Sequence, residues 1–228
     1  MRRFVQSLSA LESLPAILPD SVKSSLLELP DRFNIGAGDD AGVLRCVDRI
    51  WTVVEMRWGL VPSWEPQPQT AYSTQTARLD RAPVSRMYRR AWQQRRCLVP
   101  LNGYYKWDRQ SAPRRPYFIQ RRDGCPLFAL ALWDRWGDVL DSFALLTFPN
   151  SSIPPPLTPD GPVFLPAAKF DQWFEADPSD ALTLAQTAEQ PPLEAYPVSR
   201  RVANRKRNEY FLLEPIEIEH PVSHEDEE

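Results

Sequence analysis

The sequence predicts a single α+β domain built on a mostly antiparallel β-sheet, or partly open barrel, with flanking helices. Three observations predict this class. Apolar, β-branched and aromatic runs, separated by Gly, Pro, Asp and Ser, fill the middle of the chain. Shorter segments with helical spacing lie on both sides of them. The 228 residues include 24 prolines and 8 glycines, which favours many short elements with stiff connections over a bundle of long helices.

The first third of the chain predicts helices, then strands, then a helix. Residues 8–18 and 21–29 have the pattern of short helices interrupted by prolines, and residues 42–47 and 51–62 have the pattern of strands. The stretch "PVSRMYRRAWQQR" at 83–95 is the clearest amphipathic helix. Its apolar face is expected to carry Met87, Tyr88, Ala91 and Trp92.

The rest of the chain predicts a run of strands followed by one more helix. The predicted strands lie at 96–101, 103–107, 115–121, 126–136 and 141–148. Helical spacing returns at 166–176, and a basic segment follows at 198–211. No internal repeat or low-complexity linker divides the body, so residues 1–213 are expected to form one domain.

The charge of the chain is unevenly distributed. The formal net charge is −3, but residues 214–228 carry seven acids and no Lys or Arg, so the body alone has a net charge of +4. This acidic tail is expected to be disordered. Between Arg86 and Arg122 there are eleven basic residues and one acid. That region is either a set of solvated faces or an electrostatic footprint for phosphates, with aromatic residues nearby for base stacking.

Composition argues against several classes of protein. There is no run of eighteen apolar residues and no continuous apolar segment at the start, so we expect neither a membrane span nor a signal peptide. Cys46, Cys97 and Cys125 have no metal-ligand spacing and are expected to be reduced core residues of a cytoplasmic protein. Both histidines, His220 and His224, lie in the tail, which excludes histidine-based catalysis in the body. No metal or cofactor is predicted.

Several words of the sequence are shared, in order, with one known family. They are "MRRF", "RFNIGAG", "RWGLVPSW", "TARLD", "RRCLVPLNGYYKW", "PYFI", "FALALWD", "FALLTFPN" and "GPVFL". With them the chain resembles the SOS response-associated peptidase family of abasic-site processing proteins. The resemblance as a whole runs from Met1 to about Asn204. The resemblance implies a β-rich domain with a basic groove for single-stranded DNA. It also implies an N-terminal cysteine that captures the abasic aldehyde as a stable ring, tuned by a glutamate, a histidine and an asparagine.

The chain departs from that family pattern at each of those chemical positions. Aligned on Arg3 and Phe4, Met1 stands at the cysteine position. Thr76 stands at the asparagine, Lys106 at the glutamate and Thr158 at the histidine. Asp160 stands at an arginine of the family pattern. Without a thiol beside the α-amine an aldehyde can form only a reversible imine, and without a carboxylate or imidazole no side chain at these positions titrates near neutrality. We therefore expect no confident catalytic residue among Met1, Thr76, Lys106 and Thr158.

Lys106 has three alternative interpretations. It is a solvated strand residue, a phosphate contact in the old pocket, or an amine nucleophile. The last requires a pKa lowered by burial or by a nearby cation, and the sequence alone shows neither.

The predicted DNA-contacting residues are Arg78, Trp64, Lys106 and Arg3. Arg supplies phosphate contacts and Trp supplies a stacking surface. Arg57 and Trp58 are expected to serve the fold instead.

The resulting hypothesis is a degenerate, cytoplasmic member of the family that binds single-stranded DNA without forming the stable crosslink. Two alternatives stay open. One is an enzyme that still processes abasic sites through an amine imine. The other is a catalytically inactive interaction protein that kept the fold for a protein partner, which the sequence does not identify.

Overall fold

The structure, a computed structural model, describes residues 1–8 and 13–217. Four α-helices in these residues are α1 (Asp20–Leu27), α2 (Arg89–Gln94), α3 (Phe170–Glu175) and α4 (Pro178–Thr187). The strands are β1 (Arg3–Gln6), β2 (Arg32–Gly36), β3 (Asp40–Val47), β4 (Ile50–Trp58), β5 (Thr76–Arg78), β6 (Arg96–Leu101), β7 (Gly103–Asp108), β8 (Arg115–Arg121), β9 (Leu127–Trp136), β10 (Leu140–Pro149), β11 (Asp160–Pro162) and β12 (Leu193–Pro197).

The strands form two sheets. The first has the order β12-β8-β7-β1-β2 and is antiparallel throughout. The second has the order β11-β10-β4-β3-β6-β9, and β9 pairs again with β10. That extra pairing closes β3, β4, β6, β9 and β10 into a five-stranded barrel. Its seam between β4 and β10 is parallel and only two residue pairs long, Ser142–Arg57 and Phe143–Trp58. The predicted α+β class with a mostly antiparallel, partly closed barrel is therefore confirmed.

The buried apolar side chains form three clusters around the two sheets. The interior between the sheets contains Phe4, Trp58 and Tyr104, with the rings of Phe4 and Trp58 in edge contact at 4.9 Å. The helices cover the outer side of the barrel, where Trp92 of α2 meets Trp173 of α3 at 5.8 Å. A smaller cluster under the 3-10 turns at 200–203 and 210–213 covers the outer side of the first sheet.

Most of the predicted elements are confirmed with small changes in their ends. The predicted strands at 42–47 and 51–62 and the five of the middle region correspond to β3, β4 and β6–β10, and the helix at 21–29 corresponds to α1. The segment at 166–176 forms a 3-10 turn followed by α3. The short strands β1, β2, β5, β11 and β12 and helix α4 had no sequence prediction, because strands of three to five residues are set by their pairing partners more than by periodicity.

Two helix predictions were wrong in extent. The amphipathic pattern at 83–95 gives an α-helix only from Arg89, and turns precede it. The Ser85 hydroxyl accepts a hydrogen bond from the Met87 amide, a local bond that competes with helix formation. Residues 13–18 of the first predicted helix form turns, and residues 9–12 lie outside the described part.

Residues 215 and 216, near the end of the described part of the chain, contact the last residue of β12 and the residue that follows it. The Ile216 amide donates to the main-chain oxygen of Pro197, and Pro215 forms a bridge with Val198. Residues 218–228, most of the segment that the sequence predicts as a disordered acidic tail, lie outside the described residues.

Candidate functional site

A cluster of polar groups, which we call the pocket, forms where β7 of the first sheet faces β11 of the second. Alternation along β7 sends Tyr104 and Lys106 to the face that looks towards β11, and sends Tyr105 and Trp107 to the opposite face. Gly103, the first residue of β7, lies so close to β8 that a Cβ atom there would stand 2.4 Å from the Ile119 oxygen. The glycine thus allows the close approach that fixes the β7–β8 register.

Lys106 lies at the centre of the pocket and not in solvent. Its Nζ donates hydrogen bonds to the main-chain oxygen of Asp160 and, over 3.0 Å, to Oδ1 of the same residue. The Lys106 side chain is 8% exposed and that of Asp160 is 65% exposed. Burial lowers the pKa of Lys106, and the ion pair with Asp160 only partly opposes this effect. The interpretation of Lys106 as a solvated strand residue is therefore wrong.

Thr158 completes this arrangement from the loop before β11. Its hydroxyl donates to Asp160 Oδ1 over 2.6 Å. Burial alone would raise the pKa of Asp160, but the hydrogen bonds from Thr158 and Lys106 outweigh burial and lower it. Asp160 is thus held as a carboxylate between a hydroxyl and an ammonium group.

The α-amino group of Met1 lies in the same pocket. Burial lowers its pKa, the positive charges of Lys106, Arg2 and Arg109 lower it further, and Asp160 opposes them. The Met1 side chain packs against the interior apolar cluster. The structure therefore brings together three of the four positions that match the family site, namely Met1, Lys106 and Thr158.

Tyr104 contributes a buried hydroxyl to the floor of the pocket. Its ring is fully buried, and its hydroxyl has no hydrogen-bond partner among the described residues. The hydroxyl lies 3.0 Å from the point that a Cβ atom of Gly161 would occupy, beside Asp160. Sequence reasoning missed this residue, because a Tyr in an apolar strand pattern is indistinguishable from a core residue.

Thr76, the fourth matched position, lies on β5, on the other side of β10 from β11. Thr147 of β10 faces both Arg78 of β5 and Pro162 of β11, so the two short strands share one end of the barrel. Arg78 is exposed and makes a two-point contact with Asp80, with both N···O distances 3.0 Å. The hydrogen bond and charge of Asp80 raise the pKa of the Arg78 guanidinium.

Trp64 is exposed, as a stacking residue must be. It is 42% exposed, and the guanidinium of Arg86 lies 4.5 Å from its ring centroid. By contrast, Trp58 is fully buried, and Arg57 donates to the main-chain oxygen of Pro68. The prediction that Trp58 serves the fold is confirmed, and the same prediction for Arg57 stays a prediction.

The Arg3 side chain makes hydrogen bonds within the fold. Its guanidinium donates to Asn34 Oδ1 over 3.1 Å and to the main-chain oxygen of Ala203 over 3.0 Å. These bonds tie β1 to β2 and to the 3-10 turn at 200–203. The DNA contact assigned to Arg3 stays a prediction.

The basic region from Arg86 to Arg122 is partly internal. Arg96 is 9% exposed and donates to four main-chain oxygens around α2 and α3, and Arg95 forms an ion pair with Asp134. Arg109 is exposed and close enough to the pocket to lower the pKa values of Met1 and Lys106. Sequence reasoning did not single out Arg109. Its position beside the pocket follows from where β7 ends, at the preceding residue Asp108.

Three further findings concern cysteines, metals and membranes. Cys97 is buried, but Cys46 and Cys125 are half-exposed, which corrects the prediction that all three belong to the core. Within residues 1–8 and 13–217, no group of three or more His, Cys, Asp or Glu is arranged to hold a metal ion. No helix in the same residues is both long and apolar enough to cross a membrane.

The fold and the pocket define a class of protein. It is a small α+β domain with a partly closed barrel, and its N-terminal strand β1 begins beside a pocket between the two sheets. The chain belongs to the SOS response associated peptidase (SRAP) family, whose model matches residues 3–205.

Curated relatives are similar to the chain in sequence, and a solved structure shares the fold. The chain is 26% identical over 225 residues to the abasic site processing protein YedK of Escherichia coli, covering 94% of this chain and 99% of the relative. It is 30% identical over 183 residues to the abasic site processing protein HMCES of Xenopus tropicalis, covering 67% of this chain and 54% of that protein. A solved protein from Bacteroides thetaiotaomicron shares the fold with a TM-score of 0.75 at 19% identity, over 93% of this chain and 99% of the other.

Proposed function

We propose that this protein binds abasic sites in single-stranded DNA at the pocket of Met1, Lys106, Thr158 and Asp160, without forming a stable ring with the abasic sugar. Family membership and the names of the curated relatives support the substrate class. One observation carries the proposal: three of the four matched positions, Met1, Lys106 and Thr158, still converge on one pocket, but their side chains no longer supply a thiol, a glutamate or an imidazole.

The missing thiol decides the stability of any adduct. A thiazolidine needs an amine and a thiol on one residue, and Met1 has a thioether in place of the thiol. The thiol of Cys97 does not replace it. Cys97 is fully buried, and burial raises its pKa well above the usual range, which suppresses the nucleophilic thiolate.

The surroundings of the pocket suit a negatively charged strand. Arg2 and Arg109 are exposed and add positive charge beside Met1. Arg78 lies at the same end of the barrel. Trp64 is also exposed, but it follows Val61 and Ser63, which contact Ser142 and Asp134 near the start of β10. Cationic grooves with exposed aromatic rings bind single strands by phosphate contacts and base stacking.

The test compares three labelled strands of one sequence by fluorescence anisotropy over a salt series: an intact single strand, the same strand with a tetrahydrofuran abasic analogue, and the intact duplex. We expect the analogue strand to bind best and affinity to fall steeply with salt, since bound cations are released from the DNA. Equal affinity for all three strands, or no binding at low salt, would contradict the proposal.

A second measurement addresses the stable ring. A strand with an aldehydic abasic site, incubated with the protein without reductant and heated in denaturant, should give no shifted band on a denaturing gel. A heat-stable band would show that ring formation has survived the loss of the thiol.

A further inference from the structure

We propose that Lys106 is an amine nucleophile that captures the aldehyde of an abasic sugar as a reversible imine. This inference rests on the proposed function, because the DNA must first place its aldehyde in the pocket. It goes beyond binding in assigning a covalent step to one residue.

The choice of residue type at position 106 supports the inference. The chain contains 23 arginines and only four lysines, Lys23, Lys106, Lys169 and Lys206. Among the other ion pairs of a half-buried cation with an aspartate, Arg95–Asp134 and Arg45–Asp141 use arginine, and Lys23–Asp20 uses a lysine whose aspartate is fully exposed. A guanidinium cannot lose its proton in a protein, whereas a buried lysine can. Lysine at this position thus provides a nucleophile that arginine would not.

The surroundings of Nζ supply what an amine needs to react. The side chain is 8% exposed, and the α-amino group of Met1 and Arg109 add positive charge nearby. Burial lowers the pKa of Lys106, so more of it is neutral near pH 8 than of an exposed lysine. Asp160, which covers Nζ, is itself 65% exposed, so Nζ lies directly behind the rim of the pocket.

The step is balanced without any other reagent. The ammonium first gives one proton to solvent. The lone pair of the neutral Nζ then adds to C1′ of the open sugar, and a carbinolamine forms. Its C–O bond breaks, the oxygen leaves as water with the two protons of the neutral amine, and a C=N bond replaces the C=O bond.

The experiment traps the imine and identifies the residue. A strand with one aldehydic abasic site is incubated with the full chain and sodium cyanoborohydride, which reduces an imine to a stable secondary amine. The products are separated on a denaturing gel and the adduct is mapped by mass spectrometry. We expect a trapped band on the wild-type protein, the adduct on Lys106, and faster trapping at pH 8.5 than at pH 6.5.

Two variants provide the comparison. Lys106→Arg keeps the positive charge beside Asp160 and should reduce trapping at least tenfold. Lys169→Arg, which changes an exposed lysine next to α3, should leave trapping unchanged. Should Lys106→Arg fail to fold, the adduct position on the wild-type protein decides by itself.

The outcomes separate this inference from the proposed function. An adduct on the Met1 amine, or equal trapping by Lys106→Arg, overturns the inference. So does an absence of trapping when the tetrahydrofuran strand still binds. Loss of binding to the tetrahydrofuran strand, which carries no aldehyde, overturns the proposed function instead.

Discussion

Lys106 Nζ lies 3.0 Å from Asp160 Oδ1, at two positions where the family pattern has the opposite charges, glutamate and arginine. By the resemblance, Lys106 stands at the position of a catalytic glutamate and reverses the charge of that position. The structure shows instead that a compensating acid lies opposite it. Asp160 neutralises much of the Lys106 charge, so attraction to phosphate at the pocket is expected mainly from Arg2 and Arg109.

The charge pair should behave as one unit under mutation. Lys106→Glu places two carboxylates together and Asp160→Arg places two cations together. Because Lys106 is buried but Asp160 is largely exposed, each single change should cost about 1–3 kcal/mol of unfolding free energy. The double variant, which restores the family's charges, should recover most of this loss. Urea denaturation of the four proteins measures the coupling, and a double variant as unstable as the sum of the single ones would contradict it.

The same pair should contribute to acid sensitivity. The folded-state pKa of Asp160 is lowered, so its contribution to stability is fully present above the unfolded pKa of about 3.9 and is lost as pH falls through the folded value. The stability difference between wild type and Asp160→Asn should therefore shrink below about pH 4. Urea midpoints from pH 7 to pH 2.5 give this difference, and a constant gap over that range would exclude the proposed ion-pair contribution.

Arg109→Ala should weaken binding to single strands and reduce the magnitude of the salt slope by about one unit, because one phosphate contact is removed. Arg122→Ala is the matched control. Arg122 is also exposed, but it follows β8 at the other end of the β7–β8 hairpin from Arg109. The paired residues between them span five positions, so the two arginines are more than about 17 Å apart along the strands. Anisotropy at several salt concentrations compares the two, and equal losses would indicate only a general effect of net charge.

Arg78→Ala should also lower affinity, by about 1 kcal/mol, without a change in stability. A control with the same local geometry exists: Arg121 makes a two-point contact with Asp123, two residues along the chain, as Arg78 does with Asp80. Arg121→Ala therefore removes an equivalent surface ion pair from the far end of the hairpin. If both variants bind single strands equally, Arg78 has no special place in the interface.

Trp64→Ala should reduce affinity by about 1–3 kcal/mol through loss of base stacking, whereas Trp64→Phe should retain a large part of it. Arg86, which lies over the ring, is expected to move when a base stacks there. Quenching of Trp64 fluorescence by bound DNA, read against a Trp64→Phe protein to subtract the other tryptophans, gives an independent signal. Unchanged affinity in Trp64→Ala would leave this residue outside the interface.

The sequence by itself determined the class of fold and the chemistry that the pocket lacks. Long apolar and aromatic runs must pair as strands to bury their side chains, so β3, β4 and β6–β10 followed from composition and spacing. The absence of a thiol at position 1 and of an acid at position 106 can likewise be read directly.

Only the tertiary structure decided that Lys106 is buried and paired with an acid. Its burial depends on β11, a three-residue strand with too little periodicity to predict. This strand brings Asp160 into contact with Lys106, although the two residues are 54 positions apart in the sequence. The unpartnered Tyr104 hydroxyl and the position of Arg109 depend in the same way on contacts between the two sheets. The ionisation of a side chain follows from its solvation and its neighbours, and both are fixed by packing between segments distant in the chain.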